Sequence, residues 1–163
     1  MDVKTEKTLL VTVIADDRVG VIRDVSGALF KCGGNLVDLR QMVIGGVFTL
    51  HCVTEFENGA DPAEIRATVR AALGDPRAEV AVRALPKAVA AAGGERYVAA
   101  ASGPDRPGRV NRITTVLARH HVNVEDWRHD LSDPAGRALT IGVVTVPAGC
   151  DVAAVARDLR EAL

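Results

Sequence analysis

Apolar residues recur along this chain in two rhythms. Residues 8–15, TLLVTVIA, form a β-branched apolar run that reads as a strand. Beyond Asp16-Asp17-Arg18 the period changes. Apolar residues at 21, 22, 25, 29 and 32 follow helical spacing from about Val19-Gly20 and stop at Gly33-Gly34, a helix-terminating signal. Residues 35–44 and 47–56 read as two strands around Gly45-Gly46, a hairpin signature. Asp61-Pro62 opens a second helix with Ile65, Val69 and Leu73 on one face, ended by Gly74-Asp75-Pro76. Residues 79–85, EVAVRAL, read as a fourth strand. The predicted order is βαββαβ.

The same order begins again. Asp17-Arg18-x-Gly20 matches Asp105-Arg106-x-Gly108 at an offset of 88 residues. Asn35, Asp38 and Arg40 match Asn123, Asp126 and Arg128 at that offset, as Ile22, Val25 and Leu29 match Val110, Ile113 and Leu117. Both the polar loop and the helical stripe are therefore repeated. Further on, Thr49 fits Thr140 at an offset of 91, because the turn SDPAG is longer than Gly45-Gly46. Ile65, Val69 and Leu73 then fit Val155, Leu159 and Leu163 at 90. Shifts of offset fall in turns, where insertions are tolerated.

The expected organisation is a first domain over residues 1–86, an Ala- and Gly-rich linker over 87–95, and a second domain over 96–163. In the second domain we expect a strand RYVAAAS, a helix near 107–120, a hairpin over 122–146 and a helix over 151–163. No fourth strand follows. In a sheet of order 4-1-3-2 this leaves the second domain's first strand with an open edge, which invites pairing. Residues 1–7, the linker or a partner chain are the candidates to fill it.

Composition narrows the function. Apolar residues are 48% of the 163, charged residues 25% and aromatic residues 3%, with a net charge of −1. No basic excess exists to attract a phosphate backbone, so direct nucleic-acid binding is not expected. A ferredoxin-like sheet that reads RNA needs aromatic residues on its central strands, and Tyr97 alone cannot supply them. Cys32, Cys52 and Cys150 are odd in number and widely spaced, which fits a reducing cytoplasm. The N-terminal residues carry no leader pattern and no apolar run spans a bilayer, so we expect a cytoplasmic protein without membrane contact.

No GxxxxGK[ST], GxSxG, HExxH or Cys-x-x-Cys occurs, and no nucleophile has an obvious paired base. The protein is therefore not expected to be an enzyme, and no cofactor is implied. His120-His121 and His129 lack the spacing of a metal site. Cys32 and Cys52 read as small core hydrophobes. Trp127, which replaces Leu39 of the first repeat, reads as core or as an anchor between domains.

The remaining chemistry lies in the loop between the first strand and first helix of each repeat. A helix N-terminus exposes unpaired amides and a partial positive charge, so it suits an anion. Gly20 and Gly108 leave the backbone approachable, and Pro107 fixes the first turn without removing a needed donor. Asn35 and Asn123 open the next strand, and we expect them beside this loop, each with a donor and an acceptor, the side-chain oxygen being suited to an ammonium group. The candidate residues are Asp16, Asp17, Arg18, Val19, Gly20, Val21, Asn35 and Leu36, with Asp105, Arg106, Pro107, Gly108, Arg109, Asn123 and Val124. A zwitterion would satisfy both halves of such a site. The competing reading has Asp17 and Asp105 merely capping their helices.

The repeated ADDRVGVIRDVSGALFKCGGNLVDLRQ and GPDRPGRVNRITTVLARHHVNVEDWR resemble tandem ACT domains, including those of proteins like the glycine cleavage system transcriptional repressor. That resemblance covers the chain from about residue 8 onward. Val19 stands where the pattern usually has proline. It implies an α+β fold of two ferredoxin-like βαββαβ domains, each an antiparallel sheet with helices on one face, the second lacking its last strand. It also implies an amino-acid-responsive regulator, often binding across an interface between ACT units. A homo-oligomer, typically a dimer, and a regulatory protein partner follow as expectations. The alternative is a ligand-independent ACT dimerisation module.

Overall fold

The structure is a computed structural model, and it describes residues 6–85, 93–131 and 136–163. The linker residues 86–92, most of the turn SDPAG and the extreme N-terminal residues 1–5 lie outside the described residues. Two units form, each with its own core.

The first unit comprises β1 (Glu6–Asp16), α1 (Val21–Lys31), β2 (Gly34–Ile44), β3 (Val47–Ala60), α2 (Pro62–Leu73) and β4 (Glu79–Ala84). Its sheet runs β2-β3-β1-β4 with every neighbouring pair antiparallel. Alternation decides which face is covered. On β1, Leu9, Val11, Val13 and Ala15 are buried. On β3, Phe48, Leu50, Cys52, Thr54 and Phe56 share that face. The stripes of α1 (Val21, Val25, Ala28, Leu29) and α2 (Ile65, Val69, Leu73) complete one core. Burial pushes the Cys52 thiol up from its ordinary value, consistent with a packing role.

Local chemistry sets the ends of these elements. The Asp61 carboxylate accepts from the Ala63 amide at 2.9 Å, Pro62 starts α2, and Gly74 ends it in the left-handed region at φ 62°. Gly45 and Gly46, at φ 59° and 81°, turn β2 into β3. The sheet face without helices carries Ile14, Met42, Ile44 and Val47, all exposed.

The second unit comprises β5 (Gly94–Pro104), α3 (Arg109–Arg119), β6 (Asn123–Asp130), β7 (Arg137–Pro147) and α4 (Val152–Ala162), in the sheet order β5-β7-β6. β5 begins earlier than the sequence suggests. Gly94 and Glu95 pair with Pro147 and Val146, so these two residues belong to the strand rather than the linker. Among the described residues no strand lies on the other side of β5. Asp151 caps α4 at the Ala153 and Ala154 amides, repeating the role of Asp61.

Strand register corrects one repeat equivalence. Thr140 pairs with Ala101, the counterpart of Val13, and Val13 pairs with Leu50. Thr140 is therefore equivalent to Leu50 at an offset of 90, not to Thr49 at 91. A one-residue slip moves a side chain to the opposite face. Thr140 is fully buried, and its hydroxyl meets His129 Nδ1 at 2.8 Å.

The second core is filled differently. Leu39 faces Cys52 in the first unit, and Trp127 faces Gly142 in the second. Trp127 packs within its own unit's core. A Cβ on residue 142 would overlap the Trp127 ring and the Asp126 carbonyl. Ring and glycine thus form one fitted pair.

Overpacking predicts that Gly142→Cys destabilises the second unit by about 1–3 kcal/mol. Adding Trp127→Leu, which reproduces the first unit's pair, is expected to return part of that loss. Urea denaturation followed by circular dichroism reads both variants. A single variant as stable as the parent would overturn this packing account.

Candidate functional site

β1 ends at Asp16, and the chain crosses to α1 through Asp17-Arg18-Val19-Gly20. The Asp17 amide donates to the Gly46 carbonyl at 2.9 Å, fastening the loop to the β2–β3 turn. The equivalent Asp105 amide donates to the Gly136 carbonyl at 3.3 Å. Each helix is entered through a glycine in the left-handed region, Gly20 at φ 94° and Gly108 at φ 79°. No side chain caps either helix, so Asp17 and Asp105 are not N-caps. The first-turn amides keep their outward-facing positive end.

In the first unit Arg18 of the loop and Asp16 just before it are engaged. Arg18 Nη2 donates to the Leu73 carbonyl at 2.9 Å and lies 2.8 Å from Asp24 Oδ2. Asp24 also accepts from Arg23 at 2.7 Å. Bonds from Arg23 and then Arg18 hold the Asp24 carboxyl below its ordinary value. Asp16 pairs with Arg77, and its amide donates to Asp75 at 3.2 Å. Amide bonds from Arg77 and Asp16 lower the Asp75 carboxyl likewise. Val19 projects fully into solvent.

Beside this loop is a cavity of about 270 Å³, lined by Asp17, Arg18, Gly20, Val21, Ile22, Arg23, Gln41, Val43 and Phe48. Its volume falls just below the ~300–1,000 Å³ usual for small-molecule pockets. Gln41 and Val43 enter from the last part of β2, which sequence reasoning missed. The signal was present: β2 and β3 meet at Gly45-Gly46, so the end of β2 must lie near the loop that bonds Gly46.

Asn35 and Leu36 are elsewhere, which corrects the expected grouping. Asn35 pairs with Glu55, and Glu55 pairs with Thr8 near the start of β1. The loop follows Asp16, which pairs with Val47. Eight residues of strand separate the two positions, roughly 26 Å at ~3.3 Å per residue. Asn35 lines a different recess, of about 540 Å³, with Lys7, Thr8 and Glu57. Asn123 and Val124 are displaced in the same way, since Asn123 pairs with Thr145 and Thr145 with Arg96. The cause is topological: α1 returns the chain to the end of the sheet where β1 began.

In the second unit, Asp105, Arg106, Pro107 and Gly108 are exposed. Arg109, the first residue of α3, is buried at 3% exposure. Arg112 binds the Pro107 and Ala162 carbonyls, each at 3.1 Å. The histidines turn to separate partners: His120 Nε2 lies 2.8 Å from Asp158, while His129 meets Thr140. The His120 bond lowers the Asp158 carboxyl.

A larger apolar groove of about 420 Å³ follows the side of β5 that has no strand partner among the described residues. It is lined by Tyr97–Ser102 and by Val155, Leu159 and Leu163 of the C-terminal segment. It occupies the flank where β4 sits in the first unit, and it includes none of the predicted loop residues. A groove of this composition suits packing, whereas the loop brings polar groups, open amides and a small cavity together.

Comparison with known proteins fits this geometry. A crystal structure of an unknown protein from Galdieria sulphuraria is similar, with a TM-score of 0.82 at 26% identity over 96% of this chain and 91% of that one. A protein assigned as a glycine cleavage system transcriptional repressor has the same fold, with a TM-score of 0.67 at 15% identity over 95% of this chain and 89% of the other. A UPF0237 protein of Clostridium perfringens is 35% identical over 49 residues, 30% of this chain and 55% of that protein. One of Lactococcus lactis is 31% identical over 49 residues, covering 30% and 56%. The matched stretch thus spans just over half of these relatives' length. The sequence matches the ACT domain over residues 7–82 and again over 95–162, so the chain belongs to the ACT domain family.

Proposed function

We propose that this protein is a non-enzymatic regulator that binds a small amino acid at its strand–helix loops and acts through a protein partner. One observation carries the reading. Asp17, Arg18, Gly20 and Val21 line a single small cavity at an α1 N-terminus that no side chain caps. Open amides there suit a carboxylate. The Asp17 side chain and the Gln41 amide offer acceptors to an ammonium group. Membership in the ACT family, whose domains are regulatory and typically bind amino acids, supports the same class of ligand. No described helix is long and apolar enough to cross a membrane.

A second reading, association without a ligand, is favoured by the apolar side chains on the helix-free sheet faces: Met42, Ile44 and Val47 in the first unit, Val98, Leu139 and Ile141 in the second. The one-sided edge of β5 favours it too. Sedimentation across a concentration series, with and without amino acids, separates the two readings.

Thermal shift against the twenty amino acids tests the leading reading. A ligand at ~100 times its Kd is expected to raise the melting temperature by roughly 5 °C or more. Gly20→Leu blocks the approach to the first loop and is expected to reduce that response. No response to any amino acid would overturn the proposal.

The bonds from Arg23 and from Arg18 to Asp24 set a pH dependence of stability. The folded-state value of Asp24 is depressed, so its contribution is present above the ordinary 3.8 and is lost as pH falls through the lower folded value. Asp24→Asn is therefore expected to lower the melting temperature by about 1–3 °C at neutral pH, a modest effect because these groups are near solvent. Calorimetry from pH 7 to 2 should show the two proteins converging below 3.8. A constant difference across that range would assign the effect to packing instead.

A further inference from the structure

We propose that the second unit holds a carboxylate on the side-on edge of Arg109, a site the first unit does not have. It rests on the reading of the loops as ligand sites and makes the two loops chemically unequal.

Arg109 begins α3 and is 3% exposed. Its Nη1 reaches the Pro104 carbonyl at 3.4 Å, while Nε and Nη2 are buried without a hydrogen-bond partner among the described residues. A guanidinium stays charged under all ordinary conditions, and burying it unpaired is strongly unfavourable. The two free nitrogens form one edge of the fork. That edge is the geometry a carboxylate bridges with two parallel bonds. The Pro104 contact on the third nitrogen holds the plane in place.

The surroundings add to the positive potential. Gly108 enters α3 without a side-chain cap, and the first turn of α3 holds no acidic residue. The residue that opens α3 thus carries a buried cation, on a helix whose first turn has no side-chain cap and no acidic residue. In the first unit Val21 takes the place of Arg109, Asp24 stands in the first turn, and Arg18 is engaged by Asp24 and Leu73. Neighbouring positions differ in step. Gly103 and Ala138 stand where the first unit has Ala15 and Phe48, and a Cβ on residue 103 would lie 3.2 Å from Arg109 Nη1. Loss of that bulk makes room for the guanidinium.

The test follows the Arg109 Nε–H resonance in the full chain with labelled arginine, assigned by its loss in Arg109→Met. Sodium acetate, glycine, glycine methyl ester and inorganic phosphate are the probes. Acetate and glycine are expected to shift the resonance saturably, and the methyl ester, which lacks a carboxylate, is not. Arg109→Met is expected to weaken the acetate-induced rise in melting temperature at least about tenfold. Should that variant not fold, Arg109→Lys keeps the charge and removes the fork, with the same loss expected. A resonance that no carboxylate moves overturns the site, as does one that phosphate moves at lower concentration than acetate. Binding of an amino acid with Arg109 unmoved removes this site and leaves the wider reading standing. An acetate response with no amino acid binding does the reverse.

Discussion

Each sheet is built around a strand that has both of its hairpin and crossover partners antiparallel to it. β3 lies between β1 and β2, and β7 lies between β5 and β6. β1 and β2 must then run the same way, and only a helix about as long as the strands can return the chain between them. That constraint buries one face under α1 and α2 and exposes the other. It also decides which ends meet. The loop after β1 meets the end of β2, and the start of β2 lies at the far side of the sheet. The candidate cavity is a product of this path more than of any single side chain.

Much of the architecture was legible in the sequence, because it depends on local chemistry. Alternation marked the strands, Asp61-Pro62 and Gly74 marked α2, and Gly45-Gly46 marked a hairpin whose glycines do take positive φ. Loops with the Asp-Arg-x-Gly pattern were found where the pattern placed them. What depends on pairing over long range was less legible. Asn35 was grouped with Asp17 because the start of β2 was expected beside the end of β1, while strand direction separates them. Thr140 was matched to Thr49 by residue type, while its partner Ala101 fixes the equivalence with Leu50. Gln41 and Val43 carried only an indirect signal, the Gly45-Gly46 turn that places the end of β2.

The two units show how one fold admits different cores. Trp127 with Gly142 replaces Leu39 with Cys52, and Arg109 with Gly103 and Ala138 replaces Val21 with Ala15 and Phe48. In each case added bulk on one element is matched by bulk removed from a strand packed against or paired with it. Dense interiors tolerate exchange only when volume is roughly conserved. The repeat was detectable because the loop kept its key residues and the core-facing helical stripe its apolar character, while these neighbouring positions diverged.

Arg18 joins three parts of the first unit: the loop that carries it, Asp24 on α1 and the final carbonyl of α2 at Leu73. In the second, Arg112 links α3 to the Ala162 carbonyl and to Pro107 of the loop. A single guanidinium in each unit thus works as a latch between the entry of one helix and the exit of the other. Displacing it would strip a hydrogen bond from the last carbonyls of the second helix, so the order of that helix end is tied to the loop.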